Sequence, residues 1–368
     1  MTYIDRLRLY REIEKHRQRP LVVYVTSNRH NAAGHMAFDV IAEFIRQIRA
    51  IPKSEKNIDV MVVSNGGDPK TAWRIISLLR EKFTDIAILL PYTAYSAATL
   101  LAMGADKIIM HPFANLGPID PQIISQQRDD KSKKETFGAE DIIHYLTFIK
   151  ENVGITDQKE LQRAFELLCN ETGAIRIGIA KRSVQLSIFL GEKLLSMHMS
   201  DKNKVQAIVE LLNKSFYHHG YPVGLKEAKE LGLPIETPDE PLESLMWEVW
   251  LSVEQEMQCN RPFNPLEIIL DDENLSNILS PVQQIQMPAN LPPPILANVL
   301  QQTLQQIRIV SVPPVDYETF NATLESIRCK SQFRTKLKIS ATRLPDMNIN
   351  LNILPISQGW IFDETQTN

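Results

Sequence analysis

Between residues 21 and 112 the chain alternates two kinds of segment. The short runs LVVYVTS (21–27), IDVMVVS (58–64), DIAILLP (85–91) and KIIMHP (107–112) have strand length and little polar alternation. Between them, AFDVIAEFIRQIRAI (37–51) and DPKTAWRIISLLREKF (68–83) repeat apolar residues with the helical period. Phe38, Ile41, Phe44, Ile45 and Ile48 fall on one face of the first, and Asp68–Pro69 is a start signal for the second. A strand that is apolar on both sides needs cover on both faces of its sheet. That requirement points to parallel βα units. In such a sheet the loops that follow the strands gather at one edge, where ligands bind.

Residues 86–105 carry no charge and have the length of a membrane span. Pro91 interrupts them, and Tyr92, Thr93, Tyr95, Ser96 and Thr99 dilute them. A strand, a turn and a buried helix are therefore expected, with no integral membrane segment. The first twenty residues are charged throughout, which predicts an exposed helix ending before Pro20 and no signal peptide. Three scattered cysteines, Cys169, Cys259 and Cys329, make neither a disulfide framework nor a metal motif, as suits a cytoplasmic protein. A net charge of −4 gives no reason to expect nucleic acid as a partner.

The middle of the chain differs. Residues 126–141 read as a solvated loop. Helical patterns follow at 142–154, 158–170, 175–199 and 204–220, with a short helix at 225–236 and an amphipathic one at 243–258 that carries Trp247 and Trp250. NLPPPIL (290–296) marks a linker or rigid turn. Residues 334–362 alternate polar and apolar and predict a small antiparallel unit turning at Pro345–Asp346. The expected division is an N-terminal helix (1–19), a main domain (20–265), a linker (266–300) and a small β-rich unit (301–368).

Two strand-to-helix junctions hold the candidate chemistry. SNGGDP (64–69) places Gly66 and Gly67 after a strand, where backbone N–H groups can face a ligand with no Cβ in the way. It lacks the GK[ST] ending of a phosphate loop and the GxGxxG of a dinucleotide fold. YTAYSAATLLAMGAD (92–106) places Ser96 at the head of an apolar helix. Ser96 is either a helix cap or a nucleophile beside a loop of oxyanion donors. His30, His35, His111 and His144 have structural readings at strand ends, turns or helix faces.

Taken with KIIMHP, GPIDP and the later HHGYPVGLKEAKELGLPIE, these segments resemble the Clp protease and crotonase superfamily. Within it the chain is most similar to the serine dehydrogenase proteinase family, relatives of signal peptide peptidase A, over roughly residues 20–255. The resemblance implies an α/β ClpP/crotonase-like spiral of βα units, with a C-terminal helical region and a β-rich extension. It implies Ser96 as nucleophile, and Gly66, Gly67 and Ala97 as oxyanion donors. Where Clp proteases place their histidine this chain has Asp120, and His219 with Gly220 falls beside the position of their aspartate. A triad with these roles exchanged is chemically sound, because chain order is irrelevant to it. Signal peptide peptidases use a lysine instead, for which Lys131, Lys133, Lys134 and Lys150 are the candidates. The expected activity is a serine peptidase acting on peptide or protein substrates, a homo-oligomer without metal or organic cofactor. The rivals are an acyl-CoA enzyme on the same fold and a non-catalytic assembly protein.

Overall fold

The computed structural model describes residues 2–126, 134–214, 218–279, 292–306, 309–344, 346 and 348–364. The expected alternation is present. Helix α1 (Tyr3–Arg17) leads into β1 (Leu21–Thr26), α2 (Val40–Ala50), β2 (Asn57–Val63), α3 (Pro69–Arg80) and β3 (Asp85–Leu90). Then come β4 (Thr93–Ala94), α4 (Ala97–Met103), β5 (Lys107–Met110) and β6 (Asn115–Leu116). Strands β1, β2, β3 and β5 pair in parallel. Asp68 caps α3 by accepting from the amide of Lys70, and Pro69 takes the first helical position, where no amide is needed.

The strands are apolar on both sides because each side meets a different helical layer. Val22, Tyr24, Val60, Val62, Ile86 and Ile88 face one core, and Leu21, Val23, Val25, Met61, Ala87 and Leu89 face the other. Helices α2, α3 and α4 supply the first layer. The predicted face of α2 is only partly right. Ile41 and Phe44 are buried, but Phe38 precedes the helix and is exposed, as is Ile45. The helix starts at Val40, which turns its buried side toward Val40, Ile41 and Phe44.

A hairpin of β7 (Gln122–Gln126) and β8 (Lys134–Gly138) follows, where a loop was expected for the second half. Helices α5 (Asp141–Glu151), α6 (Gln158–Thr172), α7 (Ala174–Leu195) and α8 (Lys202–Lys214) come next. Strand β9 (Val223–Gly224), helix α9 (Leu225–Glu230) and strand β10 (Ile235–Glu236) return the chain to the sheet, and β10 pairs with β5. Helix α10 (Glu240–Met257) lies with α1 over the second face, through Met246, Val249, Trp250 and Val253.

Two expectations are corrected. First, α1 is not exposed. Leu9, Tyr10 and Ile13 are buried, and so is the charged Arg6, because Glu325 pairs with it through two oxygens and Glu256 accepts from its other arm. Second, the residues after 265 do not stand apart. Helices α11 (Pro265–Leu270) and α12 (Glu273–Leu279) fall at the expected linker, and α13 (Pro293–Gln306) runs from it into the start of the expected β-rich unit. Residues 280–291 lie outside the described residues. Strands β11 (Val310–Ser311), β12 (Val315–Glu325), β13 (Cys329–Arg343) and β14 (Ile349–Glu364) are antiparallel as predicted. Yet β12 pairs with β1, Val23 opposite Glu325, so the C-terminal strands extend the central sheet. Among the described residues no helix is long and apolar enough to cross a membrane.

Candidate active site

Three loops meet at the carboxyl edge of the parallel strands. The loop after β2 is fixed from below by Ser64, which is buried. Thr26 Oγ1 donates to Ser64 Oγ at 2.8 Å, and Ser64 Oγ accepts from the amide of Gly66 at 3.0 Å. The Ser64 amide donates to Thr93, and its carbonyl accepts from Tyr95, which locks this loop to the one leading to Ser96. On the other side Met36 bridges the loop. Its amide donates to Gly66 and its carbonyl accepts from Asp68. In such a parallel bridge the amide of the middle residue, Gly67, faces away from Met36.

Both glycines are required where they stand. Gly66 has φ +92, and a Cβ there would lie 2.5 Å from the Tyr95 carbonyl oxygen and 2.9 Å from both Ala97 N and Ser96 Cβ. Gly67 has φ +153, and its Cβ would collide with the Met36 backbone. Gly66 therefore lies directly against the serine. Its amide is occupied by Ser64, so the expectation that it serves as an oxyanion donor is corrected. Among the described residues the amides of Gly67 and Ala97 have no acceptor; Ala97 opens α4, where the first amides have none within the helix.

Ser96 sits at the N-cap position of α4 with φ 55 and ψ −118, and its side chain makes no cap hydrogen bond. The helix-cap reading therefore fails. A non-glycine residue in this region costs about 1–3 kcal/mol and persists where the surroundings impose it. Here the bonds of Ser64 to Thr93 and Tyr95 impose it, and they present the side chain at the end of the sheet.

The segment after β6 runs alongside. Strand β6 pairs in parallel with β4 and antiparallel with β9. Thr99 Oγ1 lies 2.8 Å from the carbonyl oxygens of both Ala94 and Gly117, and it accepts from the Gly117 amide. Gly117 packs on the Tyr95 ring so closely that a Cβ would overlap it. Ile119 is held by its amide to Leu212 of α8 and by its carbonyl to buried Ser187 of α7. These bonds place Asp120. One of its oxygens accepts from Gln122 Nε2, and the other lies 2.9 Å from His219 Nδ1.

A carboxylate accepts hydrogen bonds, so Nδ1 of His219 carries the proton and Nε2 is left as a proton acceptor. The two side chains are partly open, 28% for His219 and 16% for Asp120. Among the lysines, Lys150 is exposed on α5. Lys131 and Lys133 lie outside the described residues, as does the side chain of Lys134 on β8. Thus Ser96, Gly66, Gly67 and Ala97 form one group and Asp120 and His219 another, joined through the β4–β6 pairing. Ser64, Thr99 and Gly117 were missed in the sequence. Ser64 directly precedes NGG, which was the one available signal. Thr99 carried none, since its partners lie on another strand.

His111 is a packing residue, stacked on Trp247 with ring centroids 5.1 Å apart. Burial pushes its pKa below the usual histidine value, against the pull of nearby Glu243.

Residues 2–133 match the family of ClpP-like SDH-type serine proteinases. That span holds Gly66, Gly67, Ser96, Ala97 and Asp120, while His219 lies beyond it. Two uncharacterized proteins of Methanocaldococcus jannaschii are each 28% identical over 243 residues, covering 64% of this chain and 74% and 72% of their own length. Two solved structures of a membrane-bound stomatin-specific protease, one with a bound substrate peptide, cover 62% and 61% of this chain and 84% and 78% of theirs. Their identities are 14% and 15% and their TM-scores 0.38 and 0.37. Over its first third, the chain is similar to the ClpP-like SDH-type serine proteinases.

Proposed function

We propose that this protein is a serine peptidase that works through a triad of Ser96, His219 and Asp120, with the roles of the last two exchanged in chain order relative to Clp proteases. The family match supports the reaction class. The observation that carries the mechanism is the 2.9 Å pairing of His219 Nδ1 with Asp120. It fixes the tautomer that leaves Nε2 able to take a proton.

Ser96 Oγ bonds to the carbonyl carbon of the scissile peptide as its proton passes to His219 Nε2. The carbonyl oxygen gains charge and accepts from the amides of Gly67 and Ala97. His219 then gives its proton to the leaving amine as the C–N bond breaks. Water attacks the acyl-enzyme by the same route, with His219 again as base, and releases the acid. Asp120 stays ionised and stabilises the imidazolium. Gly66 shapes the loop, and Ser64 holds it. Catalytic hydrogen bonds often tighten only when substrate is bound. The absence of a bond from Ser96 Oγ to a described residue is compatible with that order of events.

A fluorophosphonate probe tests the assignment. The labelled protein is digested and the modified peptide identified by mass. Ser96 is expected to carry the label, and Ser96→Ala to remove it. Label retained in Ser96→Ala places the nucleophile elsewhere and overturns the reading.

A further inference from the structure

Arg29 follows β1 at the same edge of the sheet and is 6% exposed. Its Nε donates to the carbonyl of Arg261 at 3.2 Å and one terminal nitrogen to the Tyr317 hydroxyl at 3.3 Å. The guanidinium also lies 5.6 Å from the centre of the Phe263 ring. Other well-covered arginines each meet a carboxylate: Arg6 with Glu325, Arg19 with Asp59, Arg80 with Asp106 and Arg328 with Glu14. Among the described residues Arg29 meets none. A guanidinium has five N–H donors, and the two side-chain bonds leave donors to spare. A buried charge is ordinarily paired, so the missing partner points to a ligand.

The space beside it is a cleft of about 230 Å³. Arg29, Arg261 and Tyr317 line it, together with Glu267, Asp271 and the apolar Ile268. Among the described residues, Arg261 too has no carboxylate partner. Cations and carboxylates thus share one small cleft without an ion pair between them. A doubly charged phosphate would meet the two carboxylates as well as the two arginines. A zwitterion satisfies both signs at once. Its carboxylate suits the planar forks of the arginines, its ammonium suits Glu267 and Asp271, and a short apolar side chain suits Ile268.

We propose that this cleft binds a free α-amino acid with an apolar side chain. Neither Ser96, Asp120 nor His219 lines it, so the proposal is independent of the peptidase mechanism.

Calorimetric titration of the full chain with L-leucine, acetate and inorganic phosphate tests it. L-Leucine is expected to bind saturably, with acetate about tenfold weaker for want of the ammonium contact. Arg261 is exposed, so Arg261→Ala should keep the fold, checked by circular dichroism, and weaken L-leucine by about tenfold or more. The double change Glu267→Gln and Asp271→Asn should erase the preference for L-leucine over acetate. Absence of saturable L-leucine binding overturns the proposal. So does phosphate binding more tightly than L-leucine, or an Arg261→Ala protein that binds L-leucine as the wild type does.

Discussion

His219 Nδ1 lies 2.9 Å from Asp120 Oδ1, across 99 positions of sequence. The pairing joins a turn after α8 to the segment after β6, and both ends are anchored. The Ile119 amide bonds to Leu212 near the end of α8, and Gln122 holds the second oxygen of Asp120. The imidazole is oriented by the fold before any substrate arrives. Such orientation is what a carboxylate contributes in a serine triad.

If His219 is the base, His219→Ala should slow acylation of Ser96 by about 10³-fold or more, with the far-ultraviolet spectrum unchanged. Asp120→Asn should act in the same direction and cost less. Lys150→Ala should leave the rate near that of the wild type, because the triad gives this exposed side chain no part in the proton transfer. Stopped-flow labelling with a fluorophosphonate measures all three. A wild-type rate in His219→Ala together with loss in a lysine variant would falsify the exchanged triad.

Gly66→Ala and Ser64→Ala should separate shape from support. The added methyl of Gly66→Ala meets the Tyr95 carbonyl, the Ala97 amide nitrogen and Ser96 Cβ, so the nucleophile loop must move. Acylation should fall by about 10²-fold or more, the scale of a disturbed oxyanion site. Ser64→Ala removes the acceptor for both Thr26 and Gly66. It should lower kcat more than it raises KM, and Ser64→Thr should restore part of the loss. Steady-state kinetics on a peptide substrate decide it.

The clamp between the two ends of the chain should dominate stability. Arg6 and Glu325 both have fully covered side chains, and Tyr10 also donates to Glu325. Removing one partner strands the other charge. Glu325→Ala is therefore expected to cost about 3–5 kcal/mol, read as a shift in the urea midpoint. Replacing Arg8, whose partner Glu12 lies on the surface, should change stability by under about 1 kcal/mol.

His198 gives the stability a pH dependence. Burial pushes its pKa below 6.5, and this outweighs the opposing effects of its hydrogen bond to the Met103 carbonyl and of Asp106. The folded protein thus resists protonation there, and the unfolded chain takes up the proton first. Stability from this group is whole above 6.5 and is lost as pH falls toward the lower folded value. Urea midpoints should drop on acidification from about pH 7.5 to about pH 5.5, and drop less in His198→Gln. An identical drop in both proteins would remove His198 as a cause.

Self-association is expected from α5, α6 and α7. Phe148, Phe165, Leu167, Ile175 and Phe189 on these helices are exposed, Ile175 by 81%. So much apolar surface on neighbouring helices marks an interaction face. Light scattering should give a multiple of 42.0 kDa at micromolar concentration. A monomer mass there would count against a homo-oligomer. Replacing Ile175 and Phe189 by polar residues should shift the mass toward the monomer.

The chain's periodicity determined the parallel strands and their two helical covers. Runs such as Val60 to Val63 have no polar side, and only a sheet buried on both faces accepts them. The turn residues also determined where backbone and ligand can approach, since Gly66 and Gly67 alone fit their conformations. The exposed reading of α1 failed because periodicity is blind to partners far along the chain. Arg6 reads as surface until Glu325, 319 positions away, is placed beside it. The same holds for β12. Its alternation announces a strand, but only the free edge of β1 decides that it joins the central sheet. Ser96 is the sharpest case. Its place at the head of a helix was legible, but its backbone strain and the missing cap bond of its hydroxyl were not. They come from Ser64, Thr93 and Tyr95 closing around it, and hydrogen bonds between separate strands exist only once the strands are assembled.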